Sequence, residues 1–264
     1  MYRSTLLINV GDNPDRPRPG RLWLRNIYHV HQRLSMAFPT RQQRAADPKF
    51  LRPFDPDGFE RPRFLFRIDN ILEDDSPRAV ILVQSEAPPD WVYAFQNARP
   101  LLAAEPETRD YDPAFSAGDK LRFRIRVNLS KKSKRDVRTP RDGTDKAGRP
   151  KDQGKRVAFT WEKGRNPDEA IREWFAAKGA PRGFELRACN VMHLGWIAGW
   201  RPKSKTQRED SDDENSIRRM KFRSALLEGT LAVTDAPAFA KAVASGIGPA
   251  KAFGFGLLSI APVR

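Results

Sequence analysis

The segment Asn26-Ile27-Tyr28-His29-Val30-His31-Gln32-Arg33-Leu34 is where residue type and spacing offer chemistry. Imidazole titrates near neutral pH and can pass a proton in either direction, so a histidine held against a substrate serves as acid or base. On a helix, Tyr28 and His31 stand three positions apart and share one side. His29, between them, is turned away by about a hundred degrees at 3.6 residues per turn, so the two histidines cannot easily act on one atom. The chemistry on offer is one imidazole with a phenol beside it. The single cysteine, Cys189, excludes an intramolecular disulfide and any zinc site built on paired thiolates, and it reads as a buried filler. The acidic run Glu209 to Glu214 gives a competing reading, a metal-dependent nuclease using Asp210, Asp212, Asp213 and Glu214. Its plainer explanation is a solvated acidic loop, and neither a metal nor a cofactor is expected.

Charge points to the substrate class. Forty-eight Lys and Arg against thirty-three Asp and Glu leave a formal charge of +15, a field that favours polyanions, nucleic acid first among them. Lys131 to Arg156 carries eleven basic residues, four acidic ones and no large apolar residue except Val137. Such a stretch cannot bury itself. It is either a solvated loop or a flexible arm that orders on phosphates, with Lys131, Lys132, Lys134, Arg135, Arg138, Arg141, Lys155 and Arg156 as its candidate RNA contacts. Duplex RNA is recognised largely by shape and phosphate contacts, which suits such an arm. A membrane surface is not expected as a partner, because no amphipathic helix or lipidation signal supplies a second anchor. The apolar run Leu6 to Val10 is too short for a signal peptide and nothing reaches transmembrane length, so a cytoplasmic location is expected.

The elements that must position these groups follow from periodicity. At 39% apolar, with 16 Phe and 6 Trp in 264 residues, the chain can build one large or two small cores. Ser4 to Val10 reads as a strand. Asn26 to Phe38 reads as a helix with the apolar stripe Ile27, Val30, Leu34 and Phe38, closed by Pro39. Arg63 to Asp69 and Ala79 to Val83 read as adjacent strands, and Pro88-Pro89-Asp90 opens a short helix through Ala98. After Gly118 the pattern restarts: Leu121, Phe123, Ile125 and Val127 face one way and Arg122, Arg124 and Arg126 the other. That arginine stripe is either an RNA face or the ordinary solvent side of a sheet. Asn166-Pro167-Asp168-Glu169 starts a helix that Gly179 stops. Phe184 to Ala198 and Phe222 to Val233 are strands, Ala236 to Ser245 a helix and Leu257 to Pro262 a last strand. The expected architecture is α+β, two tandem ferredoxin-like (RRM-like) βαββαβ domains with antiparallel sheets, at residues 1–117 and 118–264.

Between the last helix and strand, Gly246-Ile247-Gly248-Pro249-Ala250-Lys251-Ala252-Phe253-Gly254-Phe255-Gly256 places four glycines around a lysine. Glycine admits positive φ and removes the side chain, so backbone N–H groups can approach a phosphate. This is not a Walker loop, because no Gly-Lys-Ser/Thr follows and no strand precedes it. A helix C-cap with a tight turn would account for Gly246 and Gly248 equally well.

Together these residues resemble the CasE-type CRISPR-associated endoribonucleases, which process precursor CRISPR RNA in type I-E systems. The resemblance is carried by Met1-Tyr2, Tyr28-x-x-His31-Gln32, Phe64-Leu65-Phe66, Leu227-Glu228-Gly229-Thr230-Leu231 through Asp235-Ala236-Pro237, and the glycine run continuing into Leu257-Leu258-Ser259. It implies two ferredoxin-like domains and metal-independent cleavage of a repeat stem-loop. The ribose 2′-OH would attack its own 3′-phosphate, leaving a 2′,3′-cyclic phosphate and a 5′-OH, with the product retained among the other Cascade subunits. His31 matches the family's catalytic histidine and Tyr28 the tyrosine beside it. Gly246, Gly248, Lys251, Gly254 and Gly256 match its RNA-contacting C-terminal motif. Lys251 or Arg33 would offset charge in the transition state. Alone, the protein is expected to be a monomer. The competing class is a structural hairpin-binding subunit that leaves RNA uncut. Asn13 to Gly20, Gln42 to Arg61 and Lys203 to Ile217 look longer than the family's usual loops and bear on partner contacts, not on the chemistry.

Overall fold

Alternation along Tyr2–Asn9 buries Ser4, Leu6 and Ile8 and makes this segment β1, the strand on which the first sheet is built. A computed structural model describes residues 1–11, 19–46, 62–69, 78–132, 156–202 and 217–263. Lys134, Arg135, Arg138, Arg141, Lys155 and the acidic cluster Glu209 to Glu214 lie outside the described residues. After β1 come the helices α1 (Pro19–Leu24), α2 (Ile27–Ser35) and α3 (Arg41–Ala46) and the strands β2 (Phe64–Asp69) and β3 (Arg78–Ser85). Then follow α4 (Trp91–Phe95), a 3-10 turn at Arg99–Leu101 and β4 (Glu107–Asp110). The second half runs β5 (Lys120–Asn128), β6 (Ser130–Lys132), β7 (Arg156–Ala158), α5 (Pro167–Ala176), β8 (Phe184–Pro202), β9 (Ile217–Val233), α6 (Ala236–Ser245) and β10 (Ser259–Pro262), with 3-10 turns at Ala180–Arg182 and Lys251–Phe253.

The chain is α+β, with two four-stranded antiparallel sheets that match ferredoxin-like domains in general form. Their strand orders are β2-β3-β1-β4 and β10-β5-β9-β8. The first core gathers Leu6, Ile8, Phe66, Ile81, Val83 and Phe95 under the expected α2 stripe of Ile27, Val30 and Leu34, with Phe38 beyond the helix end. The second gathers Phe123, Ile125 and Val127 of β5 with Ile171 and Phe175 of α5 and Phe239 and Val243 of α6. Burial pushes the Cys189 thiol up to about 11, so it stays protonated inside this core.

Several boundaries differ from the sequence expectation for packing reasons. Helix α2 stops at Ser35, and the residues up to Phe38 continue as tight turns. The stretch before Ser116 contains β4, whose residues are all exposed and so leave no apolar alternation to read. The foot of the basic loop is a ladder, Lys131 opposite Val157 and Lys132 opposite Arg156. The largest difference is in β8 and β9, which span 19 and 17 residues. Strand β5 pairs with β9 only as far as Ser224. Beyond it, β8 and β9 continue as a two-stranded ribbon to the pair Pro202–Ile217. One face of that ribbon lies on α2: Ile197 packs against the first core, and a Cβ on Gly199 would stand 2.8 Å from Ile27 Cγ2.

The two sheets meet at a buried ion pair. Arg67, 1% exposed, donates from Nε to Asp69 Oδ1 (2.8 Å) and from Nη2 to Oδ2 (2.9 Å), while Nη1 reaches Arg124 O, Leu257 O and Ser259 Oγ. Gln84 Nε2 donates to Val243 O at 2.8 Å. The arginine stripe on β5 serves this seam: Arg124 pairs with Glu228 and lies 3.7 Å from Asp69, and Arg126 bonds Ser224 Oγ and Ile68 O. Only Arg122 of the three is exposed.

Candidate active site

Helix α2 is held at its N-terminus by Asn26, which is 1% exposed. Its Oδ1 accepts from Tyr28 N (3.2 Å), capping the helix, and also from Trp200 N (3.1 Å), while its Nδ2 donates to Trp200 O (3.0 Å). One side chain thus satisfies one of the helix's orphan donors and pairs with β8 as a neighbouring strand would. One turn further, the His31 ring stacks on Phe64 of β2 with centroids 5.4 Å apart and planes 18° from parallel, and lies 6.4 Å from the rings of Phe66 and Phe253.

Phe253 comes from the glycine run, which the structure therefore brings to His31. A cleft of about 460 Å³ is lined by His31, Ser35, Arg63, Phe64, Glu86 and Lys251, among others. Phe253 is fixed from behind by Phe222 of β9, stacked at 4.9 Å. Three of the four glycines are buried and have packing reasons for lacking a side chain. A Cβ on Gly246 would meet Leu65 Cδ1 at 2.8 Å, one on Gly256 would meet Ile247 O at 2.7 Å, and one on Gly254 would press on the Phe66 ring at 3.2 Å. Gly248, with φ of 89°, has open space around it.

Lys251 is partly buried, and burial, then Arg182 and Arg63, hold its ammonium below the usual lysine range. Lys178 is shifted the same way by burial, then Arg182 and Arg156, and Arg182 Nη1 donates to Lys178 O at 2.9 Å. Positive groups that feel one another therefore run from Arg156, at the foot of the basic loop, through Lys178 and Arg182 to Lys251 and Arg63 in the cleft. Sequence reading singled out Lys251 and Arg156 and missed Lys178, Arg182 and Arg63. These three lie outside the dense basic run and the glycine motif, and no local signal joins them.

The other sequence candidates are placed differently. Tyr28 is partly buried with its ring 6.3 Å from that of His29, and it does not line the cleft. Arg33 is committed to the end of α4, donating to Ala94 O (2.9 Å) and Asn97 Oδ1 (2.8 Å). Lys131 and Arg156 are exposed on the ladder β6–β7. Among the described residues, no group of three or more His, Cys, Asp or Glu is gathered as a metal site, and no helix is long and apolar enough to cross a membrane.

A titratable ring backed by phenylalanines, opening with lysine and arginine onto one cleft, on a chain with two antiparallel α+β sheets, agrees with the family suggested by the sequence. The chain belongs to the CRISPR-associated protein family, whose model matches residues 1–262. Within it the chain is of the Cse3/CasE type. It is 27% identical over 262 residues to the CRISPR-associated endoribonuclease Cse3 of Thermus thermophilus, covering 99% of this chain and all of that protein. It is also 27% identical over 264 residues to the Cascade subunit CasE of Escherichia coli, with both chains fully covered. A structure of Cse3 bound to a 19-nucleotide RNA superposes with a TM-score of 0.65 at 24% identity, covering 99% of this chain and all of that one.

Proposed function

We propose that this protein is a metal-independent endoribonuclease that cuts the repeat stem-loop of precursor CRISPR RNA. The observation that carries the reading is that His31 and Lys251, 220 positions apart in sequence, line one cleft with Arg63. In the reaction, the 2′-oxygen bonds to the adjacent phosphorus as the bond to the 5′-oxygen breaks, leaving a 2′,3′-cyclic phosphate and a 5′-OH. His31 takes the 2′-OH proton or delivers one to the departing 5′-oxygen, a contribution of about 10² to 10⁴ in rate. Lys251 and Arg63 offset the charge that grows on the phosphoryl oxygens. Holding the phosphate in line supplies much of the remainder. Tyr28, one turn before His31 and outside the cleft lining, is assigned the positioning of the strand rather than the transfer of the proton.

The stem lies along the line of cations from Arg156 to Lys251, with the basic loop gripping its phosphates and Gly248 offering a backbone N–H. The relatives named as Cse3 and as a Cascade subunit support RNA as substrate and partnership in a multi-subunit complex; retention of the product there, in the cytoplasm, is part of the proposal. We read the chain as two tandem ferredoxin-like βαββαβ units at residues 1–117 and 118–264. The test incubates the protein with a repeat-derived hairpin in EDTA, with and without a 2′-deoxy sugar at the cleaved nucleotide. Cleavage of the ribose substrate alone is expected. Cleavage of the deoxy substrate overturns the chemistry, and an uncut but tightly bound hairpin makes the protein a binding subunit.

A further inference from the structure

The β8–β9 ribbon has two faces with unlike surroundings. The face carrying Ile197, Gly199 and Phe222 is turned to α2 and to Phe253 beside His31. The other face carries Trp196, Ala198 and Trp200 on β8, and directly opposite them in register are Arg223, Lys221 and Arg219 on β9. Trp196 is 53% exposed and Trp200 38% exposed. Lys221 Nζ stands 4.7 Å from the centre of the Trp196 ring, and Arg223 Cζ 5.9 Å from it. Arg223 also caps Trp161 at 4.1 Å and donates to Phe159 O, so the face is continuous with the chain leaving β7 at the foot of the basic loop.

We propose that this face binds an unpaired segment of RNA, its bases stacking on Trp196 and Trp200 and its phosphates lying along Lys221 and Arg219. Two exposed indoles in one column and cations in the next are what a single strand needs. Every base has a face to stack, and every linkage carries a charge. A duplex hides its base faces and would leave the indoles unused. The two tryptophans are four residues apart on a strand, roughly 13 Å, with only a methyl group between them at Ala198. A protein-docking core would be depleted in lysine, whereas here each tryptophan faces a cation. The inference rests on RNA being the ligand of this protein, and it adds a second site on the ribbon face away from the His31 cleft.

The test measures fluorescence anisotropy with two RNAs, an unpaired 12-nucleotide strand and a repeat hairpin trimmed of tails, on the wild type, Trp196→Ala/Trp200→Ala and Arg219→Glu/Lys221→Glu. Both variants should bind the 12-mer about tenfold or more weakly, in keeping with the loss of stacked bases and phosphate contacts, while binding and cutting the trimmed hairpin as the wild type does. The charge-reversal variant touches only exposed side chains and keeps the test open if the tryptophan variant misfolds. Unchanged 12-mer affinity, no 12-mer binding by the wild type, or tighter binding of a DNA strand of the same sequence overturns the proposal. Weakened docking of another protein subunit, with 12-mer binding intact, assigns the face to protein and overturns it as well. Loss of hairpin cutting by the wild type counts against the endoribonuclease reading and leaves the 12-mer comparison to be scored separately.

Discussion

The imidazole of His31 lies nearly parallel to the ring of Phe64, 5.4 Å between centroids, on the wall of the cleft that also receives Lys251. A stacked ring is restrained in rotation, so in the proposed reaction Phe64 sets the direction from which a proton is taken or given. His31→Ala should lower the cleavage rate by about 10² to 10⁴ and leave hairpin affinity unchanged. Phe64→Ala, which keeps the imidazole but frees it, should lower kcat with little change in KM, because orientation and not binding is lost. Single-turnover cleavage beside equilibrium binding separates the two.

Lys251, in its proposed role, should give the site an alkaline limb. Burial and the neighbouring arginines disfavour its ammonium, so the charge proposed to hold phosphate is lost at a lower pH than for an ordinary lysine. A profile of kcat/KM against pH should therefore fall before the usual lysine range near 10.4. Lys251→Arg, which stays charged, should carry the limb upward, and Lys251→Ala should abolish it while lowering kcat/KM throughout. Stability moves the other way. With the folded value below the unfolded one, the unfolded chain holds more protons between the two, so this group adds stability as pH rises through that window.

Arg67→Ala should be the most damaging substitution at the seam. It leaves the Asp69 carboxylate, 8% exposed, with Arg124 at 3.7 Å as its remaining ion-pair contact, and removes the donor shared by Arg124 O, Leu257 O and Ser259 Oγ. Breaking a buried pair from one side costs about 3–5 kcal/mol, readable as a lower urea midpoint. Replacing both partners, Arg67→Met with Asp69→Leu, should recover part of that loss.

Asn26→Ala removes the cap of α2 and both hydrogen bonds to Trp200. The cap alone is worth about 1 kcal/mol, and the unmade bonds to β8 raise the expected loss to about 2 kcal/mol. Because His31 rides on this helix, kcat should fall together with Tm. Asn26→Asp keeps the acceptor but sets a carboxylate against Trp200 O, and should lie between the two in thermal melts and in cleavage rate.

Much of this was legible locally. Ile27, Val30, Leu34 and the Asn26 cap announce α2, Asn166-Pro167 announces α5, and Phe64–Asp69 with Ala79–Val83 announces a strand pair. The pairing of His31 with the glycine run came from resemblance, since no spacing rule joins residue 31 to residue 251. What stayed hidden depends on distant partners. Arg67 alternates with apolar neighbours as a solvent-facing residue would, and only Asp69, Arg124, Leu257 and Ser259 together explain its burial. Arg124 and Arg126 read as a possible RNA face and instead close the seam. The full length of β8 and β9 escaped because a ribbon with one face on α2 and one in water mixes glycine, tryptophan and charge without a clean alternation.

The seam around Arg67 also limits how this chain can be taken apart or recombined. Cut between its halves, the amino-terminal piece would keep a charged pair whose carbonyl acceptors belong to the other fragment, and an α2 cap whose second partner, Trp200, had gone with it. The two look-alike sheets are thus no longer exchangeable cassettes. A chimera that swaps one half for a relative's must carry over the joint as well as the site.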